Sequence, residues 1–323
     1  MPVADRFRAA VGWLRRHRRV AVALQVGTAA VLLTVLAFAV RDSWRGAGER
    51  LRDANLVDFG LGCAVLGAYY LLFIVGWMRI LAAWDIRLSY GVALRAEMLS
   101  MLAKYIPGGI WTPAARVLAV RRAGIDATAL VTASILVEAG LSAISGVIVF
   151  VVSLAWVEGV EAPLAPLIVF AVVVAVLLHP SIFGRLAGRL FRRLGYAEPP
   201  DLPSSTILFL LVYYAFTWLV GGAALYFLVR SVGGDVAASS IAFLGGTAAV
   251  GAIVAVLSII APSGLGPREA SMYGLLLAVA PQGAALGATV LNRVAITLVE
   301  AALLVVGILI LRRHAGQRDP LAT

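Results

Sequence analysis

The apolar residues of this chain fall in long uninterrupted blocks, not in the alternation of a half-buried strand or the heptads of a coiled coil. A helix needs about 20 apolar residues to span the hydrocarbon core of a bilayer. Residues 20–40, 59–78 and 202–229 each reach that length without a charge, and each predicts a transmembrane helix. The first block is longer than the apolar core of a signal peptide. The Arg41-Asp42-Ser43-Trp44-Arg45 that follows it is not a small-residue cleavage site, so it reads as a retained helix.

The remaining blocks are interrupted. Residues 127–157, broken only by Glu138, predict a tilted span, and 162–180 predict a return crossing. Residues 87–122 carry Arg87, Arg95, Glu97, Lys104, Arg116, Arg121 and Arg122, with apolar stretches between them too short to cross. A re-entrant helical hairpin fits this stretch, because irregular backbone is tolerated at membrane depth where it lines a cavity. An amphipathic surface helix is the alternative. Residues 236–267 carry no charge and are followed by a second apolar stretch, 270–292, and a last helix to about 311; within them, 236–280 predicts either a second re-entrant hairpin or two full crossings.

Composition agrees: 62% of the 323 residues are hydrophobic and 14% charged, a membrane composition. The formal charge of +10 sits in short clusters between apolar blocks, which points to membrane orientation and away from nucleic acid. Arg15, Arg16, Arg18 and Arg19 place a basic segment, 1–19, in the cytoplasm, and Arg312, Arg313 and Arg318 place a tail, 313–323, on the same side. Between them, 20–312 forms one transmembrane domain. The single cysteine, Cys63, excludes an intrachain disulfide framework, and His17, His179 and His314 are scattered. Neither a metal site nor a cofactor is expected, and no convincing nucleophile points to an enzyme.

Two halves, about 58–157 and 202–312, share an order of features. Pro107-Gly108-Gly109, Arg116 and Val137-Glu138-Ala139 in the first answer to Pro262-Ser263-Gly264, Arg268 and Val299-Glu300-Ala301 in the second. The odd crossing at 162–180 would make the second half run the opposite way. The expected fold is therefore an all-α polytopic membrane protein of about seven to eight transmembrane segments, with one or two re-entrant hairpins and an inverted-topology repeat. That is a transporter architecture.

An ionisable group at the centre of a membrane helix costs about 2.5–3.5 kcal/mol, so each must face protein, water or a partner. Glu97, Lys104, Glu138, Arg268, Glu269, Arg293 and Glu300 stand in such places. Arg293 and Glu300 lie two turns apart on one face with Thr289 and Thr297, predicting a polar seam. Ser134, Glu138, Ser142 and Ser145 likewise share a face. Lys104 is the only lysine beside 26 arginines, and it stands three residues before the first proline break. Broken helices expose N–H groups and partial positive charge, so a phosphate ligand suits that place.

The segments Lys104-Tyr105-Ile106-Pro107-Gly108-Gly109-Ile110-Trp111 and Ala261-Pro262-Ser263-Gly264-Leu265-Gly266-Pro267-Arg268-Glu269 resemble the two hallmark motifs of the flippase-like, lysylphosphatidylglycerol synthase transmembrane family. The resemblance covers nearly the whole chain. It implies a membrane region like that of the multiple peptide resistance factor, which moves an aminoacylated phospholipid while a separate soluble domain makes it. The chain stops about ten residues after its last helix, so the translocating part alone is expected, without synthase activity.

The expected activity is translocation of an anionic or aminoacylated phospholipid, or of a polyprenyl-phosphate-linked intermediate, across the cytoplasmic membrane. Lys104, Arg116, Arg268 and Arg293 would hold the headgroup phosphate, and Glu138, Glu269 and Glu300 would offset their charge or couple to protons. Tyr105, Pro107, Gly108, Trp111, Pro262, Gly264 and Gly266, the other motif positions, complete the candidate substrate site that the resemblance implies. A membrane-embedded lipid-modifying enzyme and a non-transporting scaffold for cell-envelope enzymes are the competing classes. The expected partner is a phosphate-bearing membrane lipid, with cell-envelope enzymes a second class.

Overall fold

The computed structural model describes residues 49–103, 111–157, 200–258 and 264–315, and the isolated helical positions 172, 176, 185 and 189. The first expected helix, 20–40, and most of 162–180 lie outside these residues. Every regular element among the described residues is helical. In chain order they are α1 (Leu56–Ala83), α2 (Tyr90–Ala103), α3 (Trp111–Arg122), α4 (Thr128–Ser153), α5 (Ser204–Ser231), α6 (Ile241–Leu257), α7 (Pro267–Leu276) and α8 (Gln282–Ala315). Short 3₁₀ turns extend α4 over Leu154–Trp156 and precede α6 over Ala238–Ser240.

Five of these elements are long and apolar enough to cross a membrane: α1, α4, α5, α6 with its leading turn, and α8 through Val306. The chain is a multi-pass membrane protein. Its outward faces agree, since Leu208, Val212 and Phe216 form an i, i+4, i+8 stripe on α5 that is half or more exposed. In water such a stripe would be a liability; in lipid it is the solvated face. By contrast α2, α3 and α7, with 14, 12 and 10 residues, reach only about 15–21 Å and fall short of a roughly 30 Å core.

Local chemistry sets the ends. Asn55 caps α1, its side chain accepting from the N–H groups of Val57 (2.9 Å) and Asp58 (3.3 Å). Gly124 closes α3 at φ +87°, donating its N–H to the Arg121 carbonyl while Ile125 reaches back to Val120. Pro267 opens α7, where a missing N–H costs nothing.

Contacts fix the directions. Asn55 donates its N–H to the Ser231 carbonyl, so α1 begins where α5 ends. A Cβ on Gly222 would strike the Ile241 carbonyl and Gly245, so the α5 and α6 backbones touch and run antiparallel. Gly146 meets Ala249 and Gly246 meets Phe150, which sets α6 antiparallel to α4 as well. Gly287 packs on Val232, so α8 starts on the face where α5 ends. Hence α1, α6 and α8 run one way, and α4 and α5 the other.

The segment expected as either a hairpin or two crossings folds, among the described residues, as two helices of unequal length. It is one span-length helix, α6, followed by the short α7, which folds back on it: Met272 lies against Gly251, and Leu275 and Val279 lie against the cluster of Phe243 and Val250. The boundary expected near 292 also moves. Pro281 precedes one helix from Gln282 to Ala315, so Asn292 and Arg293 lie inside it. Nothing in the apolar run at 282–292 stops a helix once its N-terminus is set.

Candidate functional site

The first charged centre forms where α2, α3 and α4 meet α1. Arg116 on α3 is 5% exposed and ion-pairs with Glu97 on α2 and with Glu138 on α4. Its guanidinium carbon lies 4.6 Å from the centre of the Trp77 ring on α1, a cation–π contact that a desolvated arginine favours. Trp77 is held by donating its indole N–H to Ser134 Oγ (2.8 Å), one turn before Glu138 on α4. Four elements therefore fix one guanidinium. Oε1 of Glu138 and Nε of Arg116 are nonetheless buried without a hydrogen-bond partner among the described residues.

The second centre forms where α7 and α8 meet α6 and α1. Gly266, at φ +92°, donates its N–H to Glu269 Oε2 (2.8 Å), so Glu269 caps the helix that carries it. Its other oxygen lies 3.5 Å from Arg293 on α8. Glu300, two turns along α8 and buried, accepts the Tyr70 hydroxyl of α1 (2.8 Å). Arg268 lies beside Glu269, its stem against the bare backbone of Gly251. Its Nε is buried without a partner, and its guanidinium makes no ion pair or hydrogen bond among the described residues.

An aromatic run on α1 and α5 joins the centres. Tyr69 contacts Tyr70, Phe73 and Trp218 at 5.6–5.8 Å between ring centres, and Phe73 contacts Tyr214 at 5.1 Å. The charges of Glu138 and Arg268 both act on Tyr69. Tyr69 and Tyr70 stand at the middle of the 28-residue α1.

The expected site residues are placed unevenly. Lys104, Tyr105, Pro107, Gly108 and Pro262 lie outside the described residues. Arg116 and Glu138 come together in the first centre; Arg268, Glu269, Arg293 and Glu300 gather in the second. Gly264, at φ +68°, packs its backbone on Ala255, where a Cβ would collide. Trp111 opens α3 at 43% exposed. The expected seam on α8 is interrupted, because Thr297 is exposed and turns its hydroxyl onto the Arg293 carbonyl (3.0 Å). The serine face of α4 is filled by protein: Ser134 accepts from Trp77, Ser145 donates to the Leu211 carbonyl (2.9 Å), and the Ser142 carbonyl accepts from Trp218 (2.8 Å).

Sequence reasoning missed Trp77, Tyr69, Tyr70 and Tyr214. The available signal was a polar tip on an aromatic ring inside an otherwise apolar helix, which must find a partner in a bilayer.

The two centres hold three cations: Arg116, matched by two carboxylates, Arg293, paired with Glu269, and Arg268, which meets no carboxylate among the described residues. Among the described residues no three His, Cys, Asp or Glu gather as metal ligands. A comparison with the curated proteins gives no match. The family model described as the lysylphosphatidylglycerol synthase TM region matches residues 20–304, and the chain belongs to that family.

Proposed function

We propose that the chain is a lipid translocase that passes a phosphate-bearing headgroup between the two leaflets of the cytoplasmic membrane, without chemical turnover. The observation that carries this reading is Arg268. A guanidinium set among helices with no carboxylate and no partner for its buried Nε among the described residues is costly unless an anion visits it. It stands at the start of α7, whose N-terminal N–H groups also attract an anion. Anionic and aminoacylated phospholipids and polyprenyl-phosphate-linked intermediates all carry the required phosphate.

The placement of short elements supports the same reading. α2 and α3 pack against each other and come to α1 and α4 near Trp77, Leu81 and Val131, toward the face where α1 ends. α6 and α7 form the corresponding folded-back pair from the opposite face. On this reading the two folded-back pairs, entering from opposite faces, are the opposed elements of an inverted repeat, the kind of architecture that alternating access uses. The charge order reverses between the halves: Arg116 on α3 pairs with Glu138 on α4, whereas Glu269 on α7 pairs with Arg293 on α8. Lys104, directly after α2, supplies a further cation for the headgroup on this reading.

Purified protein in liposomes that carry a fluorescent anionic phospholipid or polyprenyl phosphate tests the proposal, with a membrane-impermeant quencher reporting transbilayer movement. Arg268→Gln removes a charge-assisted contact of about 1.5–3 kcal/mol, so movement falls roughly 10–150-fold. Wild-type protein that moves none of these lipids, or an R268Q variant as fast as wild type, overturns the reading.

A further inference from the structure

At Arg116 two carboxylates from different helices share one guanidinium, each on its own terminal nitrogen. Counted as ionised groups, Glu97, Arg116 and Glu138 leave one net negative charge among the described residues. An uncompensated charge at this depth is costly, and one proton removes it. The two carboxylates are not equivalent. The Glu97 side chain keeps 13% of its surface accessible and Glu138 only 4%, and Glu138 Oε1 is buried without a partner. Protonated, that oxygen becomes a hydroxyl donor. The buried Tyr214 hydroxyl, equally without a partner among the described residues, packs in one apolar cluster with Val137 and Leu141, which lie on either side of Glu138 along α4, and it feels the Glu138 charge. Among the described residues the charged and titratable groups around Glu138 are Arg116 from α3, Glu97 from α2, which shares that guanidinium, Tyr69 from α1 and Tyr214 from α5. Lys104, seven residues after Glu97, lies outside the described residues.

We propose that Glu138 is a proton-binding site and that its protonation unlocks the α2–α3 pair from α4. A proton from the aqueous phase adds to Oε1, the carboxylate becomes a neutral acid, and its ion pair with Arg116 becomes an ordinary hydrogen bond. Arg116 stays tied to Glu97, which belongs to the same helical pair, so these two move as a unit. The Arg116–Glu138 contact is the charged tie between that pair and the span behind it. The gating consequence rests on the translocase reading; the proton site does not.

Infrared titration of the full-length protein tests the site, and hydrogen exchange of residues 111–122 tests the unlocking. On acidification a carboxylic-acid C=O stretch appears that Glu138→Gln loses, that Glu97→Gln moves to more acidic pH, and that Glu49→Gln on the exposed surface leaves unchanged. Exchange of 111–122 speeds up with acid beyond the intrinsic rate in wild type, and in E138Q it is fast at every pH. A titrating band that survives in E138Q and is unmoved in E97Q, or the absence of any such band, overturns the proton site. Wild-type-like exchange in E138Q overturns the unlocking. If the band and the exchange behave as expected while no lipid moves in liposomes, the translocase reading fails and the proton site stands.

Discussion

At Arg116 the protein itself meets one guanidinium with two carboxylates and an aromatic ring. The Arg116 cation is matched by Glu97 and Glu138 and its face by Trp77, so removing it leaves a buried carboxylate, Glu138, and a part-buried one, Glu97, with no counter-charge among the described residues. Breaking a buried pair by deleting one partner costs about 3–5 kcal/mol. Arg116→Met should therefore lose roughly that much stability at neutral pH, and adding Glu97→Gln with Glu138→Gln should restore much of it, since the stranded charges go with them. Thermal unfolding in detergent measures both. A single R116M variant as stable as wild type would show the ion pairs to be ornamental. The sequence displayed all three charges, but not their pairing. Glu138 lies 22 residues from Arg116 and Glu97 lies 19, and no spacing rule joins residues on separate helices.

At the scale of the element, the spans were legible because length and unbroken hydropathy decide them, and α1, α4 and α5 agree with the sequence-based expectation within a few residues. The start of α8 was not legible, because residues 270–292 are apolar on both sides of the true break at 277–281 and no charge marks it. What sets α6 against α5 is also a backbone property, invisible to hydropathy. Gly222 lets the Ile241 carbonyl and the Gly245 backbone come into contact with α5, and neither can retreat as a side-chain tip could. Gly222→Val should cost about 1–3 kcal/mol by forcing the two helices apart. Gly60→Ala, on the open face of α1 with no atom within 4 Å of its Cβ, should be neutral or stabilise by up to about 1 kcal/mol. Chemical unfolding of the two variants side by side gives the contrast; equal effects would deny that the α5–α6 contact is tight.

For the whole molecule, the directions of the spans and the positions of the basic residues are independent observations, and they agree. Contacts put the end of α5 and the starts of α1 and α8 on one face, where the turn after α5 carries Asp235. The opposite face holds the end of α1 and the Arg121-Arg122 turn with Asp126, toward which α8 carries Arg312 and Arg313. Basic residues gather on the cytoplasmic side of membrane proteins. We infer that the Asp126 face is cytoplasmic and the Asp235 face external. Both aspartates are exposed and suit substitution. In a Cys63→Ser background, Asp235→Cys should react with a membrane-impermeant maleimide in intact cells, and Asp126→Cys only after permeabilisation. Labelling of both from one side would contradict the span directions; the reverse pattern would keep the fold and turn the molecule over in the membrane. Only the first result would damage the proposed arrangement of opposed folded-back pairs, because such pairs need their entrances on opposite faces whichever way the protein is inserted.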